Sequence, residues 1–389
     1  MRLTCDFDNL VTNLKDLSEV VEDRLLSEDL KNVTFRLSQD KVELVGINQI
    51  IVFTRKLSNE YFSLQLTDEE LAKGTVYFQL RSKELLDFLS SYQGVRKTKV
   101  EEVSFEFLTE AKVKCMVLER DMDTNAPLIS SWVFNNIMLK PNVLNQMNKP
   151  EPEGELETVE TLSLMFYTRN LFPLMQPGTN LFSKLTFGDD YVVAFCVQHY
   201  TFMKNLLGDT FKGIVLTYRA VSFMDKVVCN EPQVQVTRTD MDLFFKTENS
   251  TAFIRYDNKL PEYKAYINMF NRDHAICLDR VYLKDILKRL RLLKDTIVFT
   301  IEDEEGVVNL KNTKFEQSVP MLKSKALEEI EKKSFKILPN ALSNAIIGSD
   351  DEFSSELFIY YCMQPNNTAV IIFTDNSGSW FSTVSVKPF

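Results

Sequence analysis

A chain of 389 residues that is 44% apolar and 26% charged has the composition of folded protein and enough of it for two to four domains, which excludes wholesale disorder. Its 45 Lys and Arg face 55 Asp and Glu, a formal charge of −10, so bulk charge cannot draw it to nucleic acid and any DNA-binding face has to be local. The longest apolar run lies around Tyr191 to Val197, too short to cross a bilayer, and none follows Met1, so the chain is expected to be neither membrane-spanning nor secreted.

In chain order, the first periodic segment is a helix over Leu10 to Leu26. A strand at Val76 to Leu80 turns into a second helix with Leu85, Leu86, Phe88 and Leu89 on one face, and alternating β-rich sequence fills Val103 to Val117. Pro141 to Thr158, with three prolines and Gly154 among glutamates, reads as a linker and places a domain boundary. The order then recurs: a helix around Thr168 to Met175, a strand ending Ile214-Val215-Leu216, a helix lined by Val221, Phe223, Met224 and Val227, and strands over Val234 to Ile254. A third pass has a helix at Leu278 to Leu293, a strand at Phe335 to Leu338, a helix carrying Leu342, Ala345, Ile346 and Ile347, and strands over Leu357 to Val386. Three copies of one domain follow, each of two strand-helix-strands halves with both helices on one side of antiparallel sheets, an α+β arrangement. Repeats that end in strand edges can pair across subunits and close into a ring.

The usual chemical motifs are missing. Cys5, Cys115, Cys196, Cys229, Cys277 and Cys362 form no C-x-x-C pair and read as buried small hydrophobes in a reducing cytoplasm. Two histidines, His199 and His274, exclude a His-rich metal site. In Gly208 to Gly213 the Walker spacing is met, but Ile214 and Val215 stand where Lys and Ser or Thr belong. No G-x-G-x-x-G, G-x-S-x-G or H-E-x-x-H occurs, so neither an enzyme nor a cofactor or metal is expected.

Charge is gathered locally on the helices. Arg280 to Lys294 holds six cations against Asp285, and at about 100° per residue Arg280, Lys284, Lys288 and Arg291 share an arc apart from the apolar face of Leu283, Ile286, Leu287 and Leu290. Weaker sets recur in the other repeats: Arg81, Lys83, Arg96 and Lys97; Arg169, Arg219 and Lys226; and Lys336. Cations without aromatic stackers or a groove-reading motif suit weak, salt-dependent phosphate contacts on duplex DNA that read no sequence.

Thr251 to Tyr263, TAFIRYDNKLPEY, resembles the strand, short acidic turn and F-P-D-Y element of bacterial-type DNA polymerase sliding clamps, the β-subunit processivity factors, here as a bacteriophage member; Leu260-Pro261-Glu262-Tyr263 stands for that element. The similarity continues through Leu278 to Leu293, Phe335 to Ile347 and the last strand. It implies a DNA clamp fold with domains at residues 1–140, 141–262 and 263–389. It further implies a head-to-tail homodimer closed around double-stranded DNA in the cytoplasm of the bacterial host, with no catalysis. DNA polymerase and clamp loader would dock by short peptide motifs in a pocket of Phe182, His199, Tyr200, Thr201, Pro261, Tyr266, Val384, Val386 and Phe389. Tyr200 and Thr201 replace an Arg and a Leu of the family, and Phe389 a terminal Leu. Three other readings stay open: a structural or virion component of repeated β-rich domains; a trimeric or open monomeric processivity factor; and a nuclease using Asp189 and Asp190, or Asp350, Asp351 and Glu352, as metal ligands.

Overall fold

The computed structural model describes residues 1–21, 30–94, 97–178, 180–195, 199–264, 275–290, 295–302, 304–325, 333–346, 354–363, 369–375 and 377–388. Among these, one motif of a strand, a helix and three strands runs six times along the chain. The first is β1 (Arg2–Asp6), α1 (Phe7–Ser18), β2 (Asn32–Ser38), β3 (Lys41–Ile47) and β4 (Ile51–Lys56), followed by a short β5 (Phe62–Gln65) and α2 (Asp68–Ala72). The second is β6 (Val76–Arg81), α3 (Ser82–Ser90), β7 (Thr98–Thr109), β8 (Lys112–Asp121) and β9 (Pro127–Asn135), and α4 (Pro141–Met147) lies beyond it. The third is β10 (Glu157–Glu160), α5 (Thr161–Leu171), β11 (Lys184–Phe187), β12 (Tyr191–Phe195) and β13 (His199–Lys204). The fourth is β14 (Ile214–Thr217), α6 (Tyr218–Lys226), β15 (Gln233–Arg238), β16 (Asp242–Lys246) and β17 (Ser250–Arg255). The fifth is β18 (Ala275–Asp279), α7 (Arg280–Leu290), β19 (Ile297–Glu302), β20 (Val307–Lys311) and β21 (Glu316–Lys325). The sixth is β22 (Ser334–Ile337), α8 (Pro339–Ala345), β23 (Glu356–Met363), β24 (Ala369–Thr374) and β25 (Trp380–Pro388).

The helices form where the apolar period lengthens from two to between three and four. In α1, Leu10, Leu14 and Leu17 are buried on one face, and the carboxylate of Asp6 accepts from Asn9 N at 2.8 Å, satisfying one of the free amides of the first turn. Leu85 and Leu89 do the same for α3, and α8 opens with Pro339 at its first position, where no amide is needed.

Leading strands cross between the two motifs of a pair. β1 joins the β7-β8-β9 meander and β6 joins β2-β3-β4; β10 likewise joins β15-β16-β17 and β14 joins β11-β12-β13. Two sheets then continue from one pair of motifs into the next, through β17 beside β4 and through β25 beside β13. The chain thereby divides into two compact units, residues 1–162 with 222–256 and residues 163–221 with 257–389. The first holds a five-stranded sheet, β5-β1-β7-β8-β9, and an eight-stranded one, β10-β15-β16-β17-β4-β3-β2-β6; the second holds a twelve-stranded sheet. In the first, α1 packs on α3 and Phe35 stacks on Phe78 at 4.3 Å; in the second, α7 packs on α8.

The expected strand-helix turns at Leu80, Leu216 and Leu338 all form, and the second and third are followed, eight residues on, by buried Met224 and Ile346, where Phe88 in the first is half-buried. Pro141 to Thr158 departs from the linker expected there. Pro141 takes the first position of α4, and Val143 and Met147 sit one turn apart against Val45 and Ile47. The stretch after it is held by a Lys149–Asp242 ion pair and by Lys246 donating to Glu151 at 2.6 Å. The helix expected around Thr168 begins earlier, at Thr161, because its buried face includes Leu164 as well as Thr168 and Leu171. Ile347, Cys196 and His274 lie outside the described residues, as does the last part of the helix expected to reach Leu26. Cys5, Cys115, Cys229 and Cys277 are buried free thiols, and burial pushes Cys5 up to about 12. No helix among the described residues is long and apolar enough to cross a membrane.

Candidate functional site

The seam between β13 and β25 is antiparallel, with Phe202 opposite Phe381, Tyr200 opposite Thr383 and His199 opposite Val384. Alternation along each strand sends neighbours to opposite faces. One face gathers an aromatic cluster: Phe202 stacks on Phe381 at 4.4 Å, Phe195 meets Tyr200 edge-on at 5.3 Å, and Val193, Ile372 and Tyr263 complete the buried part. Phe182, Tyr191, Tyr200, Tyr360 and Val370 pack around it while keeping some surface in water. The reverse face is drier and carries Trp380, Val384 and Thr201, all fully buried, with the Thr201 and Ser382 hydroxyls 2.8 Å apart.

This geometry splits the pocket expected from sequence. Phe182 and Tyr200 belong to the aromatic face, whereas His199, Thr201, Val384 and Val386 point to the other, since consecutive residues of a strand cannot line one side. Pro261 is half-buried, and its carbonyl accepts from Tyr263 N at 2.8 Å. Tyr266 and Phe389 lie outside the described residues. Sequence reading missed Phe195, Phe202, Tyr263 and Phe381, although the alternating aromatics of both strands marked them. Tyr263 is seated over the β11–β12 turn, where a Cβ on Gly188 would overlap its ring and hydroxyl; Lys264 beside it donates to Asp189 at 3.3 Å. Burial raises the Tyr263 phenol above its ordinary value, and His199 is driven down to about 4 by the same cause.

The cations expected to face DNA do not form one set. Lys83, Lys97, Arg169, Lys226 and Lys288 are exposed and Arg81, Arg219 and Lys284 are half-buried, while Arg96 and Arg291 lie outside the described residues. Arg280 is fully buried and leaves the set. It is the first residue of α7, directly after β18, and its amide donates to Ser355 O at 2.8 Å, so the sheet rather than the helical period directs it. Lys336 also leaves the helix faces: it stands on β22 between buried Phe335 and Ile337 and projects to the opposite side of that sheet. Acids share the remaining surfaces. Lys226 donates to Glu19 at 2.8 Å, Lys288 to Asp285 at 2.7 Å, and exposed Glu84 and Asp87 flank Lys83 on α3. Asp189 and Asp190 occupy the β11–β12 turn, and Asp350, Asp351 and Glu352 lie outside the described residues. Among the described residues no group of three or more potential ligands could hold a metal ion.

Over its whole length the chain superposes on a putative DNA polymerase III beta subunit from Eubacterium rectale, with a TM-score of 0.74, 14% identity and 100% of both chains covered. The chain has the sliding-clamp fold. The DNA polymerase sliding clamp from Bacillus subtilis gives a TM-score of 0.76 at 12% identity over 100% of this chain and 99% of that one, and a Pseudomonas aeruginosa sliding clamp bound to griselimycin gives 0.70 at 13% over all of both. No family model and no curated protein matches the sequence. At 12–14% identity, the likeness to these three is one of fold.

Proposed function

We propose that this protein is a DNA sliding clamp: copies of the chain close into a ring around duplex DNA and tether a polymerase, without catalysing a reaction. Its six motifs pair into three repeated domains, near residues 1–140, 141–262 and 263–389. The observation that carries the reading is an unfilled place in a repeated pattern. β17 closes the second domain and lies beside β4 of the first; β25 closes the third and lies beside β13 of the second. β9, which closes the first, pairs with β8 alone, and the Glu316–Pro320 half of β21, the counterpart of β4 and β13, pairs with β20 alone among the described residues. Placing β9 of one copy beside β21 of another repeats the junction already made twice and closes a head-to-tail homodimer.

A ring holds DNA by topology, so exposed Lys83, Arg169, Lys226 and Lys288 need only touch phosphates weakly, and the interspersed acids keep the grip loose enough to slide. The polymerase and loader dock by short peptides on the aromatic face beside β13 and β25, where Phe182 and Tyr200 offer apolar surface. Once tethered, a released polymerase rebinds at high effective concentration.

Loading the protein on a nicked circular duplex and passing it through gel filtration at moderate salt tests this. The protein should co-elute with the circle and be lost after one restriction cut, and the free protein should have twice the 45.1 kDa mass of one chain. Equal retention on circular and linear DNA would overturn the ring.

A further inference from the structure

The eight-stranded sheet has a seam of the same build as that between β13 and β25. There Phe253 of β17 lies opposite Val52 of β4, the register positions that Thr383 and Tyr200 hold in the other seam. A cavity of about 310 Å³ opens over this pair, at the lower end of the size range of ligand sites, and α4 supplies its far wall. We infer that this cavity is a second docking pocket, for a short peptide carrying carboxylates beside an aliphatic side chain.

The lining favours that chemistry. Its floor is apolar, from Val52 and Phe253, and suits an aliphatic side chain. Its charges are two cations and one anion. Asp242, 5% exposed, is ion-paired with Lys149, whose ammonium also sits 4.7 Å over the Phe253 ring. Arg255 stands 4.0 Å from the same carboxylate and is itself 55% exposed, so its planar fork can take a carboxylate from solution in two parallel hydrogen bonds. The exposed amides of Asn145 and Gln146 on α4 add donors suited to peptide carbonyls. Donors thus outnumber acceptors around an apolar floor, which selects acid and apolar groups in one ligand. The pocket is defined by sheet register, volume and charge alone, and does not depend on the ring.

Fluorescence polarisation of the full chain with fluorescein-labelled acetyl-Glu-Ile-Val-Glu-amide at low salt tests the inference. Saturable binding is expected, at least tenfold weaker for Arg255→Glu and for the uncharged Gln-Ile-Val-Gln peptide, and unchanged for Tyr200→Glu. Arg255 is exposed enough that its replacement leaves the fold intact. No saturation by about 1 mM peptide would overturn the pocket. Loss on Tyr200→Glu with binding kept in Arg255→Glu would move the peptide to the other seam, and displacement by free glutarate as effective as by unlabelled peptide would make the ligand a small diacid; either result overturns the proposal. Retention on circular DNA is read separately, so failure of this site leaves the clamp reading standing.

Discussion

His199 is 3% exposed, its Nε2 has no hydrogen-bond partner among the described residues, and it faces Val384 across the seam. Burial lowers its pKa from 6.5 to about 4, so between those values the unfolded chain binds a proton that the native state refuses. Its contribution to stability is therefore complete above pH 6.5 and is lost as pH falls toward 4, by about 3 kcal/mol between pH 7 and pH 4. His199→Leu removes the dependence. In urea denaturation the stability of the variant relative to the parent should rise by roughly that amount over the same interval, and a difference constant with pH would show that His199 titrates alike in both states. A sequence has no means of assigning this residue to the dry face. His199-Tyr200-Thr201 is apolar enough to be a strand but carries no mark of which parity meets the aromatic cluster; the register with β25 decides it. Arg280 illustrates the same limit, since the helical wheel places it with Lys284 and Lys288 whereas the strand that delivers it turns it inward.

At the level of elements, the strand-helix junctions were plain in the sequence because the apolar period changes abruptly at Leu80, Leu216 and Leu338. β9 and α4 were not. β9 lies at a sheet edge with Ile129 71% and Trp132 52% exposed, so apolar residues fall on both of its faces and the alternation that marks a half-buried strand disappears. In α4, Pro141 masks a helix whose two buried contacts, Val143 and Met147, span a single turn. The apolar edge of β9 is the kind that folded proteins cover. If the proposed ring forms through this edge, Ile129→Lys with Trp132→Glu should turn the proposed dimer into a folded monomer, seen as a halved mass in light scattering with an unchanged circular-dichroism spectrum. A mass unchanged from the parent would show that β9 is not the contact.

On the scale of the whole molecule, chain order and sheet membership disagree. The stretch proposed as the middle domain contributes β10 and β15 to β17 to one compact unit and β11 to β14 to the other. The chain leaving β9 and the chain leaving β17 are each hooked back: Ile137 N donates to Gln79 O at 3.0 Å after β9, and Val215 and Asp257 exchange both backbone bonds, at 2.7 and 2.9 Å, after β17. Gln79 and Val215 each precede the repeated leucine, so the two hooks are copies of one device. Because β17 returns to β4 after more than a hundred residues, a covalent break need not release a piece. Severed between Gly154 and Glu155, in an exposed stretch where Gly154 takes a positive φ of 138°, the polypeptide would still be laced across five residue pairs of that seam and by Lys149 to Asp242. Residues 1–154 and 155–389, expressed as two polypeptides with an affinity tag on one, should co-purify in equal amounts and melt in one transition; recovery of the tagged fragment alone would show that continuity of the chain, and not the shared sheet, holds these parts together.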